Sequence, residues 1–282
     1  MENFREVKVL DNFYQTSSFY PMPVVLVTTV SKSGLTNVGS YSLCFPFGIA
    51  DEHYMMLISR GDSNTSINLL QNNPFCALNF IPYKRKYLKN AVCLGYPGES
   101  TEKKLKDCRF TLVPSMRTEK ESGNTYPDII SESVQVFECT YIDDKDLFHY
   151  GNDGGERHFL LRIDNIFMQD KWYRALKKGG KFPGLPVDYG YRDSRHFWFA
   201  PHRKPYAEPI PRNKGIDINT IRYEVQRLPY EIEWEDEAYA KLVKVPRVFL
   251  KRVLTAISER AQKEGVTRIT PEILDSYNRK ER

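Results

Sequence analysis

Residues 21–82 constrain the fold more than any other part of the chain. They read as strand, tight turn, small-residue strand, strand, polar turn, short helix and strand. Val24, Val25, Leu26 and Val27 form a β-branched-rich apolar run. Ser31, Lys32, Ser33 and Gly34 supply the turn, with Gly34 free to take positive φ. Further strands are expected at 75–81, 134–142, 158–168 and 196–200, separated by proline, glycine and charge. This rhythm suits a mainly β domain with added helices, built as a small antiparallel barrel. Helices are expected at 62–72 and 100–107, and long loops at 83–98 and 171–193.

The same segment carries a candidate ligand site. From Asn37 through Ser40, Tyr41 and Ser42 it offers small residues, hydroxyls and an amide, and small residues let backbone N–H and C=O groups approach a flat ligand. The next strand ends at Ser59 and Arg60, and Ser63, Asn64 and Thr65 open a helix. Free N–H groups with nearby hydroxyls form a natural phosphate site. A ring platform followed by a phosphate cup points to flavin mononucleotide (FMN). The plainer role of Ser63, Asn64 and Thr65 is an N-cap cluster, and the two roles are compatible.

This order resembles the flavin reductase-like proteins of the FMN-binding split-barrel class, flavoredoxins among them. The residues that carry the resemblance are Pro21, Pro23, Val24, Thr28, Thr29, Gly34, Asn37, Ser40, Ser42, Ser59, Ser63, Thr65, Asn68, Phe75 and Asn79. It continues through 127–139 and 157–163 and covers about the first two-thirds of the chain. The resemblance implies a Greek-key split β-barrel that binds FMN as cofactor, NADH or NADPH as electron donor, and a homodimer whose subunits complete each other's flavin sites. It adds Thr28 and Asn68 to the cofactor-binding set. His158 matches a histidine that such proteins place near flavin or nicotinamide, and is the catalytic candidate; a strand-start histidine bonded to a loop is the alternative. Where many relatives carry a lysine before the cup threonine, the nearest cation here is Arg60.

The 282 residues are expected to form a flavin-binding domain over 1–205 and a linker with a small helical module over 206–282. No apolar run is long enough to span a membrane, and the N-terminus lacks a secretory layout, so a cytoplasmic protein is expected. The five cysteines show no metal or disulfide spacing and read as buried thiols, with Cys44 nearest the presumed ring strand. Residues 171–214 hold eleven Lys or Arg against three Asp or Glu. That run is either a solvated surface or a field attracting a dinucleotide phosphate or acidic redox partner. No nucleic-acid motif accompanies it. Neither G-x-G-x-x-G nor a P-loop occurs, and no ligand spacing indicates a metal.

Pro201, Pro205, Pro209 and Pro211 mark an extended linker. Beyond it, Glu235, Asp236 and Glu237 open a helix that Lys241 and Lys244 close. Pro246 is expected at the first position of the next, whose apolar face runs Leu250, Val253, Leu254, Ile257, Ala261 until Gly265. Thr270 caps a last helix. With Trp234, Ala238, Leu242, Arg252, Ile269 and Glu272, this tail resembles the C-terminal helical module of a light-independent protochlorophyllide reductase subunit. The resemblance implies docking near electron transfer; a helical hairpin packed on the barrel is the alternative.

Two functions stay open. One is an FMN-dependent NAD(P)H oxidoreductase passing electrons to a flavin, metal or protein acceptor. The other is a non-enzymatic flavoprotein carrier docked to a redox partner through its helices. Flavin chemistry needs little acid–base help from the protein, so the lack of a catalytic dyad counts against neither.

Overall fold

The computed structural model describes residues 4–49, 52–96, 98–117, 125–145, 155–178, 181–191, 195–202, 205–209 and 215–279. The chain forms two compact units, Met1–Pro205 and Tyr206–Arg282.

The first unit begins with α1 (Phe13–Thr16), β1 (Met22–Pro23), β2 (Val25–Val30), β3 (Thr36–Tyr41), β4 (Cys44–Gly48) and β5 (Tyr54–Arg60). Next, α2 (Asn64–Ile67) runs into a π-helical turn, Asn68–Asn72, before β6 (Phe75–Phe80). There follow α3 (Arg85–Leu94), α4 (Thr101–Asp107), β7 (Leu112–Val113), β8 (Ile129–Ile130), β9 (Gln135–Ile142) and β10 (Glu156–Met168). The unit ends with α5 (Asp170–Lys178), β11 (Pro186–Tyr191) and β12 (Phe197–Pro201).

Seven of these strands make one sheet in the order β3-β2-β6-β9-β10-β5-β4, and every pairing in it is antiparallel. β3 and β4 occupy opposite edges, yet only Ser42 and Leu43 separate them in sequence. Three Cα–Cα steps of 3.8 Å reach at most about 11 Å. The sheet therefore curls until its two edges nearly meet, forming a barrel split along one seam. Ile58 N–H donates to Leu43 O across 2.9 Å beside that seam.

β2 is buried along its whole length because it faces two cores. Val25 and Val27 point into the barrel with Met55, Leu57, Leu78, Phe159 and Leu161. Val24 and Leu26 point outward, where Leu88, Ala91 and Leu94 of α3 cover them. Between the strands runs a satisfied amide: Asn79 Nδ2 donates to Leu26 O at 3.0 Å, and its Oδ1 accepts from Ile130 N at 2.8 Å. Cys44, Cys76 and Cys139 are free buried thiols in the barrel core.

The segments 83–98 and 171–193 are not loops throughout, as the sequence led us to expect. The first holds α3 and the second holds α5 and β11. In α3 the buried apolar stripe is only Leu88, Ala91 and Leu94, with Asn90 buried beside it. Lys84, Arg85 and Lys86 crowd the helix N-terminus, where cations oppose the dipole, and mask the pattern. The single helix expected over 62–72 is instead the short α2 continued as a π turn.

The second unit has its own core, centred on Ile221, Leu250, Leu254, Ala261 and Ile269. Its elements are α6 (Ile218–Gln226), β13 (Glu233–Trp234), α7 (Asp236–Leu242), α8 (Arg247–Lys263), β14 (Arg268–Ile269) and α9 (Pro271–Arg279). β13 and β14 pair in parallel. α6, capped by Asp217 accepting from Thr220 N at 2.6 Å, had no counterpart in the sequence expectations. Pro246 is the N-cap of α8, one place before the expected position. Thr270 caps α9 through Ile273 N at 3.4 Å. Of the proline-rich stretch, Pro211 lies outside the described residues.

Candidate functional site

A cavity of about 320 Å³ lies at the seam of the barrel, within the range of small-molecule sites. Ser40, Tyr41 and Ser42 form one side, and Ile58, Ser59 and Arg60 the other. β3 is an edge strand, paired only with β2, so its outer N–H and C=O groups are not used by the sheet. A second cavity of about 490 Å³ adjoins it, sharing Tyr14, Leu43, Ile58 and Glu156 and walled by Tyr20, Met22 and Phe45.

Hydroxyls converge where β3 and β5 meet the start of α2. Ser59 Oγ and Ser63 Oγ are 2.8 Å apart. Tyr41 donates to Ser63 at 3.4 Å, and Ser63 donates to Ser66 Oγ at 3.0 Å. Ser63 is also the N-cap of α2, accepting from Ser66 N at 3.1 Å. The backbone comes close here: a Cβ on Gly39 would meet Tyr41 Cε2 at 2.8 Å and Thr65 Oγ1 at 3.1 Å. Gly39, without a Cβ, leaves that space to the Tyr41 ring and the Thr65 hydroxyl.

The sequence-derived candidates fall into three positions. Ser40, Tyr41, Ser42, Ser59 and Arg60 line the cavity. Ser63 and Asn64 stand beside it at the start of α2, and Asn64 is tied to Glu99 O at 2.8 Å. Thr28, Asn37, Thr65 and Asn68 are buried in internal polar contacts. Asn68 donates to Thr29 Oγ1 at 3.0 Å, Asn79 donates to Thr28 Oγ1 at 3.3 Å, and Asn37 donates to Thr65 Oγ1 at 3.5 Å. His158 pairs with Ile58 across β10 and β5, which puts it on the face that carries Ile58 to the cavity, though it is not part of the wall. Burial lowers its pKa below the usual histidine value.

Arg60 is exposed and held by Asp62, with Nη2–Oδ2 2.7 Å and Nε–Oδ1 3.0 Å. Arg157 sits next to it around a concavity with Gly61, Asp62 and Gly155, adding a second cation beside the turn that follows β5. In the sequence nothing set Arg157 apart from the other charged residues that flank His158. Two further wall residues were missed, Tyr14 and Asp188. Asp188 is buried, and burial pushes its carboxyl up to about 6, against hydrogen bonds from Ser42 and Gly190 that lower it. A lone acid in the alternating run PVDYGY was the available signal.

No protein-family model matches the chain, and no curated protein matches it. Solved structures do. An FMN-binding protein from Thermus thermophilus, solved with p-hydroxybenzaldehyde, is 18% identical with a TM-score of 0.52, over 74% of this chain and 100% of its own. A flavoredoxin from Methanosarcina acetivorans is 18% identical with a TM-score of 0.52, over 74% of this chain and 97% of its own. Nitrilotriacetate monooxygenase component B from Bacillus cereus is 15% identical with a TM-score of 0.50, over 74% and 100%. The architecture is thus the antiparallel split barrel seen in flavin proteins.

Among the described residues, no helix is long and apolar enough to cross a membrane, and no group of three or more His, Cys, Asp or Glu could hold a metal ion.

Proposed function

We propose that the protein is an FMN-dependent oxidoreductase that takes electrons from NADH or NADPH and passes them to a flavin, metal or protein acceptor. The observation that carries this reading is the cavity at the barrel seam, walled by the open edge of β3 and by Ser59, whose hydroxyl meets that of Ser63 at 2.8 Å beside it. Bound FMN would supply the electron-accepting ring. The chain's own residues bind and orient. Backbone groups of 37–42 read the ring edge, while Ser59, Ser63 and neighbouring N–H groups, with Arg60 and Arg157 nearby, hold the phosphate. Gly39 leaves room for the Tyr41 ring, and Tyr41 fixes Ser59 and Ser63 relative to β3. The fold neighbours that bind FMN or are flavoredoxins support the reading.

A homodimer is part of this proposal. The edge strand β4 exposes Phe45 and Phe47, an apolar surface suited to a second copy. A carrier docked through the helical unit is the second reading, favoured by that unit's separate core.

The test is the absorbance spectrum of the purified protein with FMN, before and after anaerobic NADH or NADPH. Bleaching within seconds at catalytic rates supports the enzyme. FMN that bleaches only with a protein donor supports the carrier. Absence of FMN binding at micromolar concentration overturns both.

A further inference from the structure

β11 carries one acid, Asp188, in a strand otherwise apolar, aromatic or glycine. It is 2% exposed, yet it lines the seam cavity. A bulge fixes its direction: the β11–β12 register shifts between Asp188 and Gly190, and Gly190 takes φ +67. The turned Gly190 N–H donates to Asp188 Oδ1 at 2.5 Å. Ser42, in the link just after β3, donates its hydroxyl to Oδ2. Each carboxyl oxygen therefore has one donor and keeps further capacity on the cavity side.

The surroundings leave a negative charge here uncompensated. α1 brings Tyr14, β3 brings Tyr41, β10 brings Glu156, and the loop after α3 brings Tyr96. β5 brings Arg60, but its guanidinium is engaged by Asp62. β1 and β12 flank Asp188 with Met22, Pro23, Phe197, Trp198 and Phe199, none of which titrates. Among the described residues no cation is paired with Asp188. A buried carboxylate without a cation is costly, whereas the neutral acid is an O–H donor and a C=O acceptor side by side.

We propose that Asp188, oriented by Ser42 and Gly190, is the specificity-determining residue of the cavity: as a neutral acid it reads a heterocyclic imide edge, such as the carbonyl and N–H of the flavin pyrimidine ring. This assignment rests on the flavin reading above. The acid O–H donates to the imide carbonyl and the other oxygen accepts from the imide N–H. The ionised form only accepts and repels the carbonyl oxygen. Burial holds the carboxyl up to about 6, so the reading form is populated in mild acid and diminishes toward neutrality unless a ligand retains it.

The probe is riboflavin, which lacks the phosphate and so carries no charge that changes between pH 5 and 8. Its affinity for the full-length protein is measured by flavin fluorescence quenching across that range, beside N3-methylriboflavin and the Asp188→Asn variant. The expected result is an affinity that falls up to about tenfold per pH unit above pH 6. N3-methylation should cost at least about tenfold, and Asp188→Asn, whose amide is donor and acceptor at every pH, should bind with no pH dependence. Riboflavin binding that is flat with pH in the unmodified protein, or tolerant of N3-methylation, overturns the assignment and leaves the flavin reading standing. If neither riboflavin nor FMN binds at any pH, both fall together.

Discussion

Ser59 donates its hydroxyl to the phenolic oxygen of Tyr41 over 3.2 Å, joining β5 to the edge strand β3 across the seam of the barrel. Ser63 completes this contact from α2. Ser63→Ala removes a helix cap and the centre of the hydroxyl cluster together. Unfolding free energy should fall by about 1 kcal/mol, and FMN affinity by about tenfold if one charge-assisted bond to phosphate is lost. Urea titrations with and without FMN measure both. Unchanged FMN affinity would place the phosphate elsewhere.

Gly39→Ala tests the close approach of backbone on β3. The new methyl meets the Tyr41 ring at 2.8 Å and Thr65 Oγ1 at 3.1 Å, and Thr65 is buried. Overpacking of this kind costs about 1–3 kcal/mol. Circular dichroism melts should show the loss, and a Tyr41→Leu background, which frees the space, should recover part of it.

The bulge in β10 holds a buried ion pair. Arg117 Nη1 lies 3.0 Å from Asp164 Oδ2, with side chains only 10% and 9% exposed, and the guanidinium sits 4.1 Å from the Tyr126 ring centre. Arg162 reaches the same carboxylate at 2.9 Å from a far more exposed position. Arg117→Ala should cost about 3 kcal/mol by leaving the carboxylate short of a buried partner. Arg162→Ala should cost less than about 1 kcal/mol. Equal losses in chemical denaturation would contradict this ordering.

Asp188 gives a pH dependence with a definite sign. Its folded-state pKa is raised from 3.8 to about 6, so the folded chain binds the extra proton and is favoured at low pH. This contribution is fully present below pH about 4 and is lost as pH rises through about 6, a change of roughly 3 kcal/mol at most. Asp188→Asn should flatten that part of the stability curve, measured by urea unfolding at pH 4.5 and 7. A wild-type and variant difference that does not change between those two pH values would refute it.

The helical unit buries Ile221, Leu254, Ala261 and Ile269 within itself. A chain ending at Pro205 should therefore fold, remain soluble and bind FMN within about threefold of the full chain, read by gel filtration and fluorescence titration. Aggregation of the shortened chain would make the helices part of the barrel's fold.

Much of the barrel could be read from the sequence because its strands announce themselves locally. Val24 to Val27 alternate between two cores, and Gly34, at φ +78, closes a local turn with Ser31. The cavity wall contributed by Ser40, Ser42 and Ser59 was legible for the same reason, since these residues sit in short elements close in sequence. Asp188 was not, because its meaning depends on Ser42, 146 residues away. α3 was hidden by its lysines and α6 by mixed polarity, and tertiary burial of Leu88 and Ile221 decides both. Asn68 and Thr65 carried the motif, yet their side chains serve the interior.

The open seam makes folding and occupancy one problem. A closed barrel would hold β3 to β4 with a ladder of backbone bonds; here two edges approach without one, and the cavity takes the place of the missing rungs. Whatever lodges there becomes the last stave, in contact with β3 on one side and β5 on the other. Its dissociation constant is then also a measure of how tightly the hoop is drawn. Amide exchange in β3 and β5 should slow with ligand concentration in step with the binding free energy.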